Sequence, residues 1–137
     1  MNSSWLTENE IAEYARLSEN ITRQCNCSKQ TFDAWESLPV TFPEEQLERK
    51  GAVTAPSDTE PTVREYHPRG TNYWSPDAPI AMHYFPANRS EVWQCASCKR
   101  CFLRYTEFGG YYIDKRIRAL RASLMFTGPY LDQDVTS

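Results

Sequence analysis

The 137-residue sequence predicts an α+β domain in which N-terminal helices pack on a small antiparallel sheet that carries a cysteine-rich hairpin. Three observations predict it. Helix start signals crowd the first fifty residues, period-two patterns with a Gly-Gly turn occupy the last third, and proline-bearing polar stretches lie between. The length fits one domain. Six Phe, eight Tyr and four Trp compensate for a modest aliphatic content, since each such ring buries roughly 150 to 250 Å². We divide the chain into a helical part at 1–51, a loop at 52–60, a strand-rich part at 61–126 and a tail at 127–137.

The first helix has three agreeing signals. Thr7 and Glu10 have capping-box spacing, Leu6 and Ile11 form a staple around them, and Ile11, Tyr14, Ala15, Leu17, Ser18 and Ile21 make an apolar stripe. Together they predict a helix from residue 8 to about 23. A short second helix is expected over Phe32–Ser37, stopped by Pro39, and a third over Pro43–Lys50, closed by Gly51. The polar stretch Ala52–Glu60 reads as a loop, and Thr62–His67 alternates weakly. Residues 68–90 hold four prolines among Tyr73, Trp74, Tyr84 and Phe85, which predicts an ordered irregular segment on the sheet with a short strand at Ile80–Tyr84. Strands at Glu91–Gln94 and Cys101–Phe108 flank the cysteine cluster. Gly109-Gly110 then supplies a two-residue turn into a strand at Tyr111–Ile117. Arg118–Leu124 reads as strand or helix.

Cys95-Ala-Ser-Cys98 falls between two expected strands, where a zinc knuckle presents two thiolates to one ion. Cys25-Asn-Cys27 supplies a second close pair after the first helix. Cys25, Cys27, Cys95 and Cys98 are therefore the candidate ligands of a closed, structural zinc that ties the helical part to the strand part. Cys101 is left over as a small core residue, with replacement of one ligand by Cys101 or a histidine still open. Two competing arrangements are five buried, unligated thiols and an iron–sulfur run at Cys95, Cys98 and Cys101, which lacks a nearby fourth cysteine.

No apolar run approaches the ~18 residues of a membrane helix, and no basic-then-apolar leader opens the sequence, so the expectation is a cytoplasmic protein with reduced cysteines and no membrane partner. Catalysis is not expected. Only His67 and His83 are present, no motif frames a cysteine nucleophile, and the five glycines fit no phosphate loop, so no small-molecule substrate is implied.

Charge divides the chain. Residues 1–60 carry eleven acids against five bases and residues 61–137 seven against ten. Glu8, Glu10, Glu13, Glu19, Glu44, Glu45 and Glu48 are either the solvated faces of two helices or an acidic surface for a basic partner. Arg100, Arg104, Arg116 and Arg118, interleaved with aromatics along the hairpin 99–121, define an alternative reading as a zinc-stabilised nucleic-acid-binding module. The pI of 5.4 disfavours it.

The segment His67-Pro-Arg-Gly-Thr-Asn-Tyr-Trp-Ser-Pro-Asp-Ala-Pro-Ile-Ala and the run from Trp93 through Cys95, Cys98 and Cys101 to Gly109-Gly110-Tyr111-Tyr112 resemble small bacterial immunity proteins of secreted antibacterial toxin systems. The resemblance covers about residues 60–121. It implies a non-catalytic inhibitor that stays in the cytoplasm and neutralises a cognate toxin by binding it. On that reading Glu10, Glu13 and Glu36 form an acidic contact surface that occludes a basic cleft, with Trp35 as its exposed aromatic anchor.

Overall fold

A computed structural model describes residues 6–53, 65–81, 84–108, 111 and 113–126. The architecture is mixed α+β and mostly sheet. One α-helix, α1 (Glu8–Glu19), begins where the capping signals place it. Thr7 Oγ1 accepts from the Glu10 amide at 3.1 Å, and Glu10 Oε1 accepts from the Thr7 amide at 2.9 Å. The helix stops at Asn20, whose side-chain amide donates to the Arg16 carbonyl at 3.1 Å, so it is shorter than its apolar stripe suggests.

The two other expected helices are replaced by extended chain. Phe32–Ser37 is irregular until β1 (Glu36–Ser37), and the acidic Glu44–Gln46 stretch makes a single 3-10 turn before β2 (Leu47–Ala52). The reason is tertiary. As a helix, Pro43–Lys50 satisfies only its own backbone, whereas β2 pairs with β4 (Glu91–Cys95) from Leu47↔Cys95 to Ala52↔Glu91 and buries Leu47 against the cysteine turn. The register shifts between Arg49 and Gly51. Among the described residues of 1–51, α1 is the one α-helix.

The main sheet has the order β1-β6-β5-β4-β2, with β5 at Cys101–Phe108 and β6 at Ile113–Ala119. All its pairs are antiparallel. Among the described residues β5 and β6 pair as far as Phe108↔Ile113. Gly109 and Gly110 lie outside the described residues. Of the expected strand at Ile80–Tyr84 the described residues show β3 (Ile80–Ala81), which pairs in parallel with β7 (Met125–Phe126) after a 3-10 turn at Ala122–Leu124, and Tyr84 lies in a bend. Glu65–His67 is irregular. Most of the 52–60 loop, His83 and the 127–137 tail fall outside the described residues. Among the described residues no helix is long and apolar enough to cross a membrane.

Two buried clusters flank the sheet. Ile11 and Ala15 of α1 join Trp35, Val92, Leu103, Tyr105 and Leu120 in the first. In the second, Phe32, Phe42 and Phe102 meet edge to face at 5.6 to 6.1 Å beside Cys27, Cys95 and Cys98. Phe32 is 1% exposed and sits at φ 52. Its ring in this triad holds a backbone conformation that a bulky residue otherwise avoids.

Candidate metal centre

The four ligands predicted from spacing converge. Cys95 ends β4, the turn Ala96–Cys98 reverses the chain, and Cys101 opens β5. Trp93 and Phe102 face each other at the hairpin base. Two backbone bonds close the knuckle: Cys95 N to Arg100 O at 2.8 Å and Lys99 N to Cys95 O at 2.8 Å. Lys99 adopts φ 77, the position where glycine is favoured. From the other segment, the 3-10 turn Asn26–Ser28 presents Cys25 and Cys27. Ser28 Oγ accepts from the Cys25 amide at 3.0 Å and donates back to the Cys25 carbonyl at 2.9 Å, fixing that turn.

The four sulfurs lie within 4.8 Å of one another, with Cys25 to Cys95 at 3.8 Å and Cys27 to Cys98 at 3.4 Å. A tetrahedron with metal–sulfur bonds of about 2.3 Å has edges of about 3.8 Å. The cluster is therefore the right size to hold one metal ion. Cys25 is partly exposed and the other three are buried.

Electrostatics favour a cation at the centre. Burial opposes ionisation of Cys25, but hydrogen bonds from the Cys27 backbone and from the Cys27, Cys98 and Cys95 thiols outweigh it and bring its pKa down to about 6. Burial and the same neighbours push Cys27 up. Without an ion, the charge that settles on one thiolate suppresses ionisation of the next. Two side chains outside the ligand set point at the sulfurs: Gln46 Nε2 donates to Cys95 at 3.3 Å and Cys25 at 3.7 Å, and Arg100 donates to Cys98 at 3.5 Å and to the Ile21 carbonyl at 3.2 Å. Arg100 lies in the cysteine turn itself, two residues after Cys98, whereas Gln46 reaches the site from a separate segment that no local pattern marks.

Cys101 stands apart from the cluster. It is fully buried in the first apolar cluster, and burial pushes its thiol up to about 12. His67 is likewise distant from the cysteines in its bonding, held by Thr71 Oγ1 at 2.8 Å and Glu65 Oε1 at 2.6 Å.

The predicted contact residues are less uniform. Glu10 and Glu13 are exposed on α1, although Glu10 serves the cap and Glu13 pairs with Arg16. Glu36 is half-buried on β1 and accepts from Gln30 at 3.4 Å. Trp35 is not the exposed anchor expected: it is 3% exposed, edge-on to Tyr105 at 5.0 Å and stacked on Tyr73 at 6.2 Å. With extended chain rather than helix at 32–37, its ring joins the core cluster that also holds Ile11 and Ala15 of α1. Glu44, expected on a solvated helix face, accepts from Arg104 and from Lys115 at 3.1 Å.

The arginines of the alternative reading are engaged inside the fold. Arg118 is 1% exposed and donates to the carbonyls of Asp33, Ala78 and Pro76 at 2.8, 2.7 and 3.3 Å. Arg116 bonds Asp114 and the Tyr73 hydroxyl, and Arg104 lies over the Trp93 ring at 4.7 Å while pairing with Glu44. Arg100, Arg104 and Arg116 are half-buried and Arg118 is buried. No protein family, curated protein or solved structure matches the chain.

Proposed function

We propose that the chain is a non-catalytic binding protein of the immunity kind its two motif segments resemble, which acts in the cytoplasm by occluding a cognate toxin on a scaffold held by structural zinc. The observation that carries the zinc is the donor set. Four cysteine sulfurs within 4.8 Å of one another match in number and softness the ligand set of a structural Zn²⁺, in which no position is left for water or substrate. What supports a binding role is where the acids lie. Glu10 and Glu13 are exposed on α1 and Glu36 is half-buried on β1, and these acids are the proposed contacts for a basic partner. The buried Trp35 is excluded from it.

The experiment is capture from the native host with tagged full-length protein, followed by expression of the captured partner alone. The expected result is growth arrest by the partner and rescue on co-expression of this chain, with rescue weakened at least tenfold in dose by Glu13→Lys/Glu36→Lys. A partner that is harmless alone, or unimpaired rescue by the double variant, overturns the assignment or the surface respectively.

A further inference from the structure

The geometry points to a second chemical state of the cysteine cluster: oxidation by a peroxide to two disulfides, Cys25–Cys95 and Cys27–Cys98, that expel the ion and keep the same two segments tied. This deepens the metal-site reading. The pairs that approach at 3.8 and 3.4 Å are both formed across segments, one partner from the Asn26–Ser28 turn and one from the β4–β5 turn. A disulfide needs about 2.05 Å, so each pair closes by less than 2 Å of sulfur movement within an existing arrangement. Gln46 already spans the Cys25–Cys95 pair, and Arg100 contacts the Cys27–Cys98 pair.

Exposure sets the order. Cys25 is the partly exposed member and Cys27, Cys95 and Cys98 are buried, so the oxidant meets Cys25 first. Its thiolate attacks one peroxide oxygen, breaking the O–O bond, giving a sulfenic acid and releasing hydroxide. The Cys95 thiolate then attacks the Cys25 sulfur, forming the S–S bond and releasing a second hydroxide. Per pair, two thiolates lose two electrons and one hydrogen peroxide gains them, yielding two hydroxides. With two of four ligands gone, the ion leaves and the inner pair, Cys27 and Cys98, reacts with a second peroxide in the same way. The product is a covalent version of the metal clamp, insensitive to chelators. Cys101, buried outside the cluster, takes no part.

Trypsin makes the test direct, because the cluster divides between two peptides. Gln24–Lys29 carries Cys25 and Cys27, Ser90–Lys99 carries Cys95 and Cys98, and Cys101 falls in neither. Full-length protein is treated with hydrogen peroxide, capped with iodoacetamide, digested without reductant and analysed by mass and fragmentation, with released zinc titrated in parallel. The expected product is one species joining the two peptides and lacking four hydrogens, fragmenting as Cys25–Cys95 and Cys27–Cys98, with Cys101 still alkylated. Two separate peptides each lacking two hydrogens, crossed pairing, or sulfinic and sulfonic acids in place of disulfides overturn the proposal. Metal stoichiometry before oxidation tests the zinc reading separately. Ion-free protein that still yields the joined peptide refutes only the zinc, and zinc-loaded protein that yields separate peptides refutes only the disulfides.

Discussion

Chelation of the reduced protein is the perturbation whose magnitude follows most directly from the fold. The sulfur contacts that define the cluster join residues 70 and 71 positions apart. Removing a cross-link that closes a loop of that length returns about 4 kcal/mol of conformational freedom to the unfolded chain. A chain of this size loses roughly 3 to 4 °C of melting temperature per kcal/mol, so the expected drop is on the order of 15 °C. The true loss is larger if the vacated thiols repel or remain unsatisfied, since buried Cys27, Cys95 and Cys98 then exchange an ion for one another. The assay is thermal unfolding followed by circular dichroism, in phosphine reductant, with and without a strong zinc chelator, and with zinc added back. A melting temperature unchanged within two or three degrees refutes the clamp. So does a loss that zinc fails to restore.

Other outcomes follow from individual side chains. Cys101→Ala keeps one zinc per chain by metal analysis and costs about 1 kcal/mol in urea unfolding; loss of the metal would place Cys101 among the ligands. Arg118→Met orphans three carbonyls at Asp33, Pro76 and Ala78 and costs about 3 kcal/mol in the same assay. A neutral result would show that the loops bearing those carbonyls do not depend on it. For Glu44, burial raises the pKa but bonds from Lys115 and Arg104 lower it further, leaving it below the ordinary glutamate value. A depressed acid stabilises the fold above the unfolded-state pKa, and that contribution disappears as pH falls through the lowered value. Glu44→Gln therefore weakens the protein at pH 7 by only about 0.5 kcal/mol, since the pair is partly exposed, and by less at acid pH as the carboxylate takes up its proton. An equal loss at both pH values would mean that the carboxylate charge is irrelevant.

Local chemistry made part of this structure legible. Thr7 and Glu10 locate the helix start because a capping box is complete within four residues, and both of its bonds form. The cysteine pairs are legible for the same reason: two thiolates on one turn have few purposes, and two such pairs complete a tetrahedron. What eluded sequence reading was decided at long range. Glu44-Glu45-Gln46-Leu47-Glu48 has the composition of a helix and the start signal of Pro43, yet pairing with β4 outweighs that propensity. Trp35 reads in the sequence as an exposed aromatic anchor beside Glu36, yet on an extended backbone its ring is buried in the core cluster with Ile11 and Ala15. Arg116 and Arg118 occupy alternate positions on one strand and look alike in the sequence; only the carbonyls of Asp33, Pro76 and Ala78 converging on Arg118 distinguish the buried one. Gln46 carries no motif and becomes readable only once the sulfurs it contacts are assembled.

X-ray absorption at the zinc edge of reduced protein purified from its own host tests the central claim most directly. A closed four-cysteine centre gives one zinc per chain with four sulfur neighbours at about 2.3 Å and no nitrogen or oxygen in the inner shell. Protein that purifies without zinc and refuses it on addition, or a shell containing nitrogen or oxygen, contradicts a closed four-cysteine centre.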